Sequence, residues 1–243
     1  MSKAYPLLLT IGPTIPSAYL DKRIQDDKDY GFNLFVSHHS SLSVTKWLDA
    51  KPPRSVVYVS FGSMANLSPR QMEELAVGLQ SAAFDFLWVV RSAEEEAKLP
   101  QGFLREMGGS GSKGLIVNWS EQLEVLSHEA VGCFFTHCGW NSTIEALSLG
   151  VPMVGMPQWT DQPTDARLVE ALWEVGVRVE VEKESGVVGR QEIELRIRQV
   201  MESEAMTSNA QKWRDVAVRA VSDGGSSDNN IRQFLSKLRN YNS

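Results

Sequence analysis

Two cysteines, four histidines and no surplus of positive charge set the first limits on this chain of 243 residues. Cys133 and Cys138 lie five positions apart on either side of a strand's end, and no cysteine or histidine spacing suggests zinc. Buried free thiols in a reducing cytosol are the expected state. The formal net charge is −6, so there is no basic footprint for nucleic acid or for an anionic membrane surface. No apolar run approaches the roughly 18 residues of a membrane span. MSKAYPLLLTIGP has one early lysine, a short apolar stretch and no convincing cleavage site, so no secretory signal is expected there. Also missing are a GxGxxG after the first strand, a GxxxxGK[ST] loop, a nucleophile elbow, a Ser–His–Asp set and any internal repeat.

What is present is alternation. Residues 1–50 read as an irregular linker and excursion, with two prolines in TIGPTIPS followed by a polar run. The DDKD within it contains an Asp-x-Asp, a pattern used elsewhere to hold manganese, but here it reads as solvated loop. From Ser55 onward short apolar runs alternate with helical patterns. SVVYVSFGS, FDFLWVV, GLIVNW, VGCFFTH, PMVGMP and VRVEV read as strands. SPRQMEELAVGLQ reads as a helix with Ser68 as N-cap, Pro69 at the first position, Gln71 completing a capping box, and an apolar face of Met72, Leu75, Ala76 and Leu79. SAEEEAK reads as solvated surface. EQLEVLSH is a short helix, and NSTIEALSLG one stopped by Gly150 and Pro152. DQPTDARLVEALWEVG is a helix expected to bury Val169, Leu172 and Trp173. Three helices close the chain, built on Ile193, Ile197 and Val200, on Trp213, Val216, Ala217 and Ala220, and on Ile231, Phe234, Leu235 and Leu238.

Such alternation implies a doubly wound α/β fold whose parallel sheet is covered on both faces. Ligands then meet the carboxyl ends of the strands. FGS, NW, THCGWNS and PQWTDQ all fall there. In FFTHCGWNST, Gly139 permits close backbone approach, and Asn141 and Ser142 open a helix whose first N–H groups lack partners, a setting that attracts phosphate. Asn141 or Ser142 serving only as a helix cap is the alternative. His137 adds a donor or a positive charge. Glu145, four residues past Asn141, lies one turn deeper on the same face and suits vicinal hydroxyls. Gly62 and Ser63 offer a second small-residue approach. Trp119 stands at a strand rim, either stacking on a base or packed in the core. Asp161 and Gln162 can bind sugar hydroxyls or begin the next helix.

The segment from Trp119 to Gln162, WSEQLEVLSHEAVGCFFTHCGWNSTIEALSLGVPMVGMPQWTDQ, resembles over its whole length the 44-residue signature box of plant UDP-dependent glycosyltransferases. SFGS upstream and GGSS at Gly224 to Ser227 also sit where that family has them. The resemblance implies a metal-independent GT-B enzyme, of which this chain is similar to the C-terminal, Rossmann-like donor half. Residues 1–50 would then be interdomain linker, 51–222 the UDP-sugar-binding domain and 223–243 a helix crossing back to the other half. By the same resemblance, Trp119 stacks on uracil, Gln122 contacts the uridine and Glu145 holds the ribose. Gly62, Ser63, His137, Trp140, Asn141 and Ser142 surround the diphosphate, and Asp161 and Gln162 hold the sugar, with Gln162 favouring glucose. The implied reaction is inverting glucosyl transfer from UDP-glucose to a small plant metabolite, with no metal and no further cofactor. The alternative is a module that binds UDP-sugar without transferring it. Ser120–Glu121 departs from the Ala-Pro or Cys-Pro of many members. The larger departure is length, about half the family's, so the acceptor pocket and the histidine base are expected in a half not present here. His38 and His39 do not match that base's context. The apolar face of the last helix would then be left without its usual partner.

Overall fold

In a computed structural model the described residues are 8–30, 38–107 and 112–241. Six strands form one sheet: β1 (Val56–Ser60), β2 (Asp85–Val89), β3 (Gly114–Val117), β4 (Val131–Thr136), β5 (Met153–Gly155) and β6 (Gly176–Arg178). All pairings are parallel and the order is β3-β2-β1-β4-β5-β6. The chain winds outward from β1 to β3, then returns to place β4 against the other side of β1. The carboxyl ends of β1 and β4 therefore flank the point where the winding reverses, the place where such sheets bind ligands.

Each face is covered because strand side chains alternate. Val57 and Val59 point to one side with Phe86, Trp88, Cys133 and Phe135, under α2 (Pro69–Ala82) and α8 (Arg190–Met201). Val56 and Tyr58 point to the other with Leu87, Phe134 and Met153. That side is covered by α1 (His38–Asp49), α5 (Gln122–Ser127), α6 (Trp140–Leu149), α7 (Gln162–Ala171) and α9 (Glu204–Val221). The short α3 (Ala93–Glu96) and α4 (Phe103–Met107) follow β2. The SAEEEAK stretch forms α3, which has no buried residue, with Ser92 capping the Glu95 N–H.

Several local expectations are refined. Ser68 does cap α2, accepting from the Gln71 N–H at 3.2 Å. Gln71 does not reach back to complete a box; its amide clamps the Val188 backbone, donating at 3.0 Å and accepting at 2.9 Å. Leu172 is not buried. α7 ends at Ala171, and Leu172 turns outward at 62% exposure while Val169 is fully enclosed. In α9 Ala210 and Ala217 are buried and Trp213 packs partly buried against the same core, while Val216 faces out. Residues 1–50 are more than an excursion where they are described. Val44 and Leu48 of α1 and Leu20 enter the core, and Ser17 N–H donates to Asp27 in the DDKD loop at 2.7 Å. Ser227 accepts from the Gly12 N–H and donates to the Gly12 carbonyl, so this segment is tied to the start of α10 (Ser226–Tyr241). On α10, Ile231, Phe234, Leu235 and Leu238 are all exposed, the uncovered face expected from the sequence. Among the described residues no helix is long and apolar enough to cross a membrane.

Candidate functional site

The turn from β4 into α6 is the centre. Cys138 takes a left-handed backbone (φ 56°) and is fully buried, directing the chain sharply from strand to helix. Gly139 is the N-cap and makes no side-chain cap bond, so neither Asn141 nor Ser142 caps this helix. They occupy the second and third helical positions. The first intrahelical bond is Thr143 N–H to the Gly139 carbonyl, at 2.9 Å. The N–H groups of Trp140, Asn141 and Ser142 thus lack intrahelical partners and carry the positive end of the helix dipole. Trp140 and Asn141 are exposed, whereas Ser142 is buried.

His137 lies between the two glycine turns. A Cβ on Gly62 would fall 2.8 Å from its Nε2, and one on Gly139 2.6 Å from the same atom. Gly62 also has φ +71°, a conformation side chains disfavour. Burial pushes the imidazole below its ordinary pKa, so the ring is neutral at pH 7 and acts as a donor rather than a cation. The Cys138 N–H donates to the Thr136 hydroxyl oxygen, which lies 3.3 Å from His137 Nδ1. In the tautomer whose Nδ1 accepts from that hydroxyl, the ring proton is on Nε2, on the side of the glycine turns.

A second cluster ties α5 to α6. Gln122, the first residue of α5, donates to Ser142 Oγ at 3.0 Å and to Glu145 Oε2 at 2.5 Å. Glu145 is 5% exposed, and burial raises its pKa. Its other oxygen accepts from the Tyr30 hydroxyl at 2.8 Å. Trp119 is half-buried at the β3 rim, with its indole N–H 3.5 Å from Glu121. The adjacent Ser120 hydroxyl is 3.1 Å from that of Tyr58.

At the β5 end, Asp161 is exposed and precedes α7 without capping it. The Thr160 hydroxyl donates to it at 2.6 Å, which holds its carboxyl below the usual range. Gln162 is buried, and its carbonyl oxygen accepts from the Gln158 and Trp159 N–H groups at 2.8 and 3.1 Å. That oxygen therefore shapes the PQWT loop, and only the NH2 end is left to meet a ligand. Ser63 is exposed, and its carbonyl accepts from Arg91.

Three residues of this region escaped sequence reasoning. Arg91, just past β2, clamps the FGS turn through the Ser63 and Ala65 carbonyls and is fixed by Glu95 at 2.8 Å. A lone arginine after VV was the signal available. Tyr30 arrives from a loop 115 positions away. Asp165, on α7, is a buried carboxyl. Among the described residues, no three His, Cys, Asp or Glu side chains gather as a metal-binding group.

A six-stranded parallel sheet, wound in two halves and with a polar helix N-terminus at the reversal, defines a Rossmann-like α/β domain of the kind found in GT-B glycosyltransferases. The family model for UDP-glucoronosyl and UDP-glucosyl transferase matches residues 29–216, and the chain belongs to that family. The chain is 56% identical over 242 residues to a flavonol 7-O-beta-glucosyltransferase of Arabidopsis thaliana, covering 98% of this chain and 52% of that protein. It is 49% identical over 233 residues to a mogroside I-E synthase of Siraitia grosvenorii, covering 95% and 50%. Os79 from O. sativa, solved in complex with UDP, superposes with a TM-score of 0.87 at 45% identity, over 97% of this chain and 51% of that one. The chain spans about half the length of the relatives it matches, and corresponds to their C-terminal half.

Proposed function

We propose that this chain is the donor-binding half of a UDP-glucose-dependent glycosyltransferase acting on a small plant metabolite. The observation that carries the reading is the β4–α6 turn. Three helix N–H groups without intrahelical partners open beside a neutral His137, and buried Glu145 stands one turn deeper. The diphosphate would meet the N–H groups of Asn141 and Ser142, the His137 Nε2–H and the Gly62–Ser63 turn, with Trp140, whose N–H faces Asp161, beside them. Glu145 would accept both ribose hydroxyls. Tyr30 and Gln122 occupy only part of its capacity, because each carboxylate oxygen can accept more than one hydrogen bond. Gln122 would hold Glu145 in place, Trp119 would stack on uracil, and Asp161 with the NH2 of Gln162 would hold the glucose. Structures of relatives with UDP support this reading.

In the complete enzyme a base from the other half would deprotonate the acceptor. The resulting oxygen attacks the anomeric carbon, the glycosidic C–O bond to UDP breaks, and the configuration inverts. This half would fix the donor and stabilise charge developing on the departing diphosphate through N–H groups and His137, without a metal. The acceptor would lie mainly in the other half; Os79 has also been solved with a trichothecene. No nucleic acid or membrane surface enters the reading. The two buried free thiols favour a cytoplasmic home.

The second reading, a module that binds UDP-sugar without transfer, is favoured for the chain by itself because no base is placed among its described residues. Mixing the chain with the N-terminal half of a relative, together with UDP-glucose and a phenolic acceptor, separates the two. Glucoside formation is expected, and donor binding without any product would favour the module.

A further inference from the structure

Asp165 has no task in the site described above, yet it is an unusual side chain. It is 5% exposed, and its Oδ2 finds no hydrogen-bond partner among the described residues. It stands four residues after Asp161, one turn along α7, where side chains meet. The two carboxyls act on each other: Asp161 pushes Asp165 up, and Asp165 helps to hold Asp161 down. Two carboxylates cannot hydrogen-bond each other, because each only accepts, so a bond between them needs a proton. Asp161 also faces the Trp140 N–H at the tip of α6. The chain of contacts runs from a buried acid, through an exposed one, to the proposed diphosphate site.

We propose that Asp165 is a positioning residue for the sugar end of the donor site: when the donor is bound, one proton is held between its own carboxyl and that of Asp161. Asp161 is thereby presented to a sugar hydroxyl in one orientation. The inference rests on the donor-site reading and deepens it. With the proton in place, Asp161 accepts from Asp165, from the Thr160 hydroxyl and from the Trp140 N–H, and only its remaining lone-pair capacity faces the sugar. Without it, like charges one helical turn apart push the exposed Asp161 outward. Burial, and then the Asp161 charge, push Asp165 up to about 6, so at pH 7 the free protein has mostly lost this proton. Donor binding, which brings further negative charge, would restore it from solvent. The other groups facing the pair are the Cys138 thiol, pushed up to about 12 and so neutral, and the imidazole of His137. The Arg91 charge acts on His137 and lowers its pKa further.

The test is calorimetry of UDP-glucose binding at pH 7 in buffers of different ionisation enthalpy, which counts protons taken up. UDP-glucose is a diphosphate diester and does not itself titrate there. Wild type should take up close to one proton, and Asp165→Asn should lose that uptake, any remainder belonging to His137. Since Asn needs no proton, the variant should bind up to about tenfold tighter at pH 7 and no tighter at pH 5. Carbon-13 carboxyl titration of the ligand-free chain supplies an independent reading. The Asp165 midpoint should lie near 6 and fall in Asp161→Asn. An ordinary Asp165 titration, or equal proton uptake in wild type and Asp165→Asn, overturns the proposal even where UDP-glucose binds. No UDP-glucose binding at any pH overturns the donor-site reading, and the positioning role with it.

Discussion

Gly139→Ala isolates the placement of His137 better than removing the histidine does. Gly139 has φ −63° and ψ 148°, a conformation alanine adopts freely, so the substitution brings no backbone strain. Its new Cβ would stand 2.6 Å from His137 Nε2 and 3.2 Å from Cδ2. Ordinary contact is about 3.5 Å or more, so the ring must retreat by roughly 1 Å. A hydrogen bond from Nε2–H to a diphosphate oxygen does not survive that shift. Hydrogen bonds to charged groups contribute about 1.5–3 kcal/mol, so UDP affinity should fall about 10- to 150-fold. Stability should change little, since alanine at an N-cap costs about 0.5–1 kcal/mol against glycine. Titration calorimetry gives the affinity and thermal unfolding the control. In a His137→Ala background Gly139→Ala should cost no further affinity, because the atom it displaces is gone. Gly62→Ala should hurt both properties, as its left-handed φ of +71° adds about 1–2 kcal/mol of strain to a 2.8 Å contact. A Gly139→Ala chain that binds UDP as wild type does would refute the placement of His137 at the diphosphate.

Three further outcomes follow from single side chains. Glu145→Ala should bind UDP and 2′-deoxy-UDP equally, whereas wild type should prefer UDP by about tenfold or more, read by competition. Gln71→Ala should strip both partners from the buried Val188 backbone and lower stability by about 2–3 kcal/mol, or roughly 5–10 °C in Tm, with UDP affinity unchanged. Asp165 binds its proton more tightly in the folded chain than in the unfolded one. Its contribution to stability is therefore full below about pH 4 and lost as the pH rises through about 6. Denaturant unfolding should accordingly find Asp165→Asn gaining on wild type between pH 4 and 7, by up to about 3 kcal/mol; parallel curves would contradict this.

The sheet was legible because each strand is a short apolar run closed by a turn signal. The double winding was legible because such runs alternate with amphipathic helices. Val57 and Val59 against Val56 and Tyr58 needed nothing beyond strand alternation. Trp119, His137, Ser142 and Glu145 could be singled out because strand ends and helix starts are local features, whereas Gln122 came from the family resemblance alone. What stayed hidden depends on distant partners. Gln71 had the right spacing for a capping box, but a pair of backbone groups 117 positions away competes better for its amide. The carbonyl of Gln162 was drawn into its own loop for a similar reason. α1 was missed because its inward residues, Val44 and Leu48, are sparse among polar neighbours, and only packing on the sheet gives them a role. Leu172 fitted the helical period but lies past the point where α7 ends.

The central claim is a preformed, metal-free UDP site in this half alone, and calorimetric titration of the chain with UDP in the presence of EDTA tests it most directly. Saturable one-to-one binding, weakened in Glu145→Ala and in His137→Ala, is the predicted result. A folded chain that takes up no UDP, or takes it up unchanged in both variants, would contradict it.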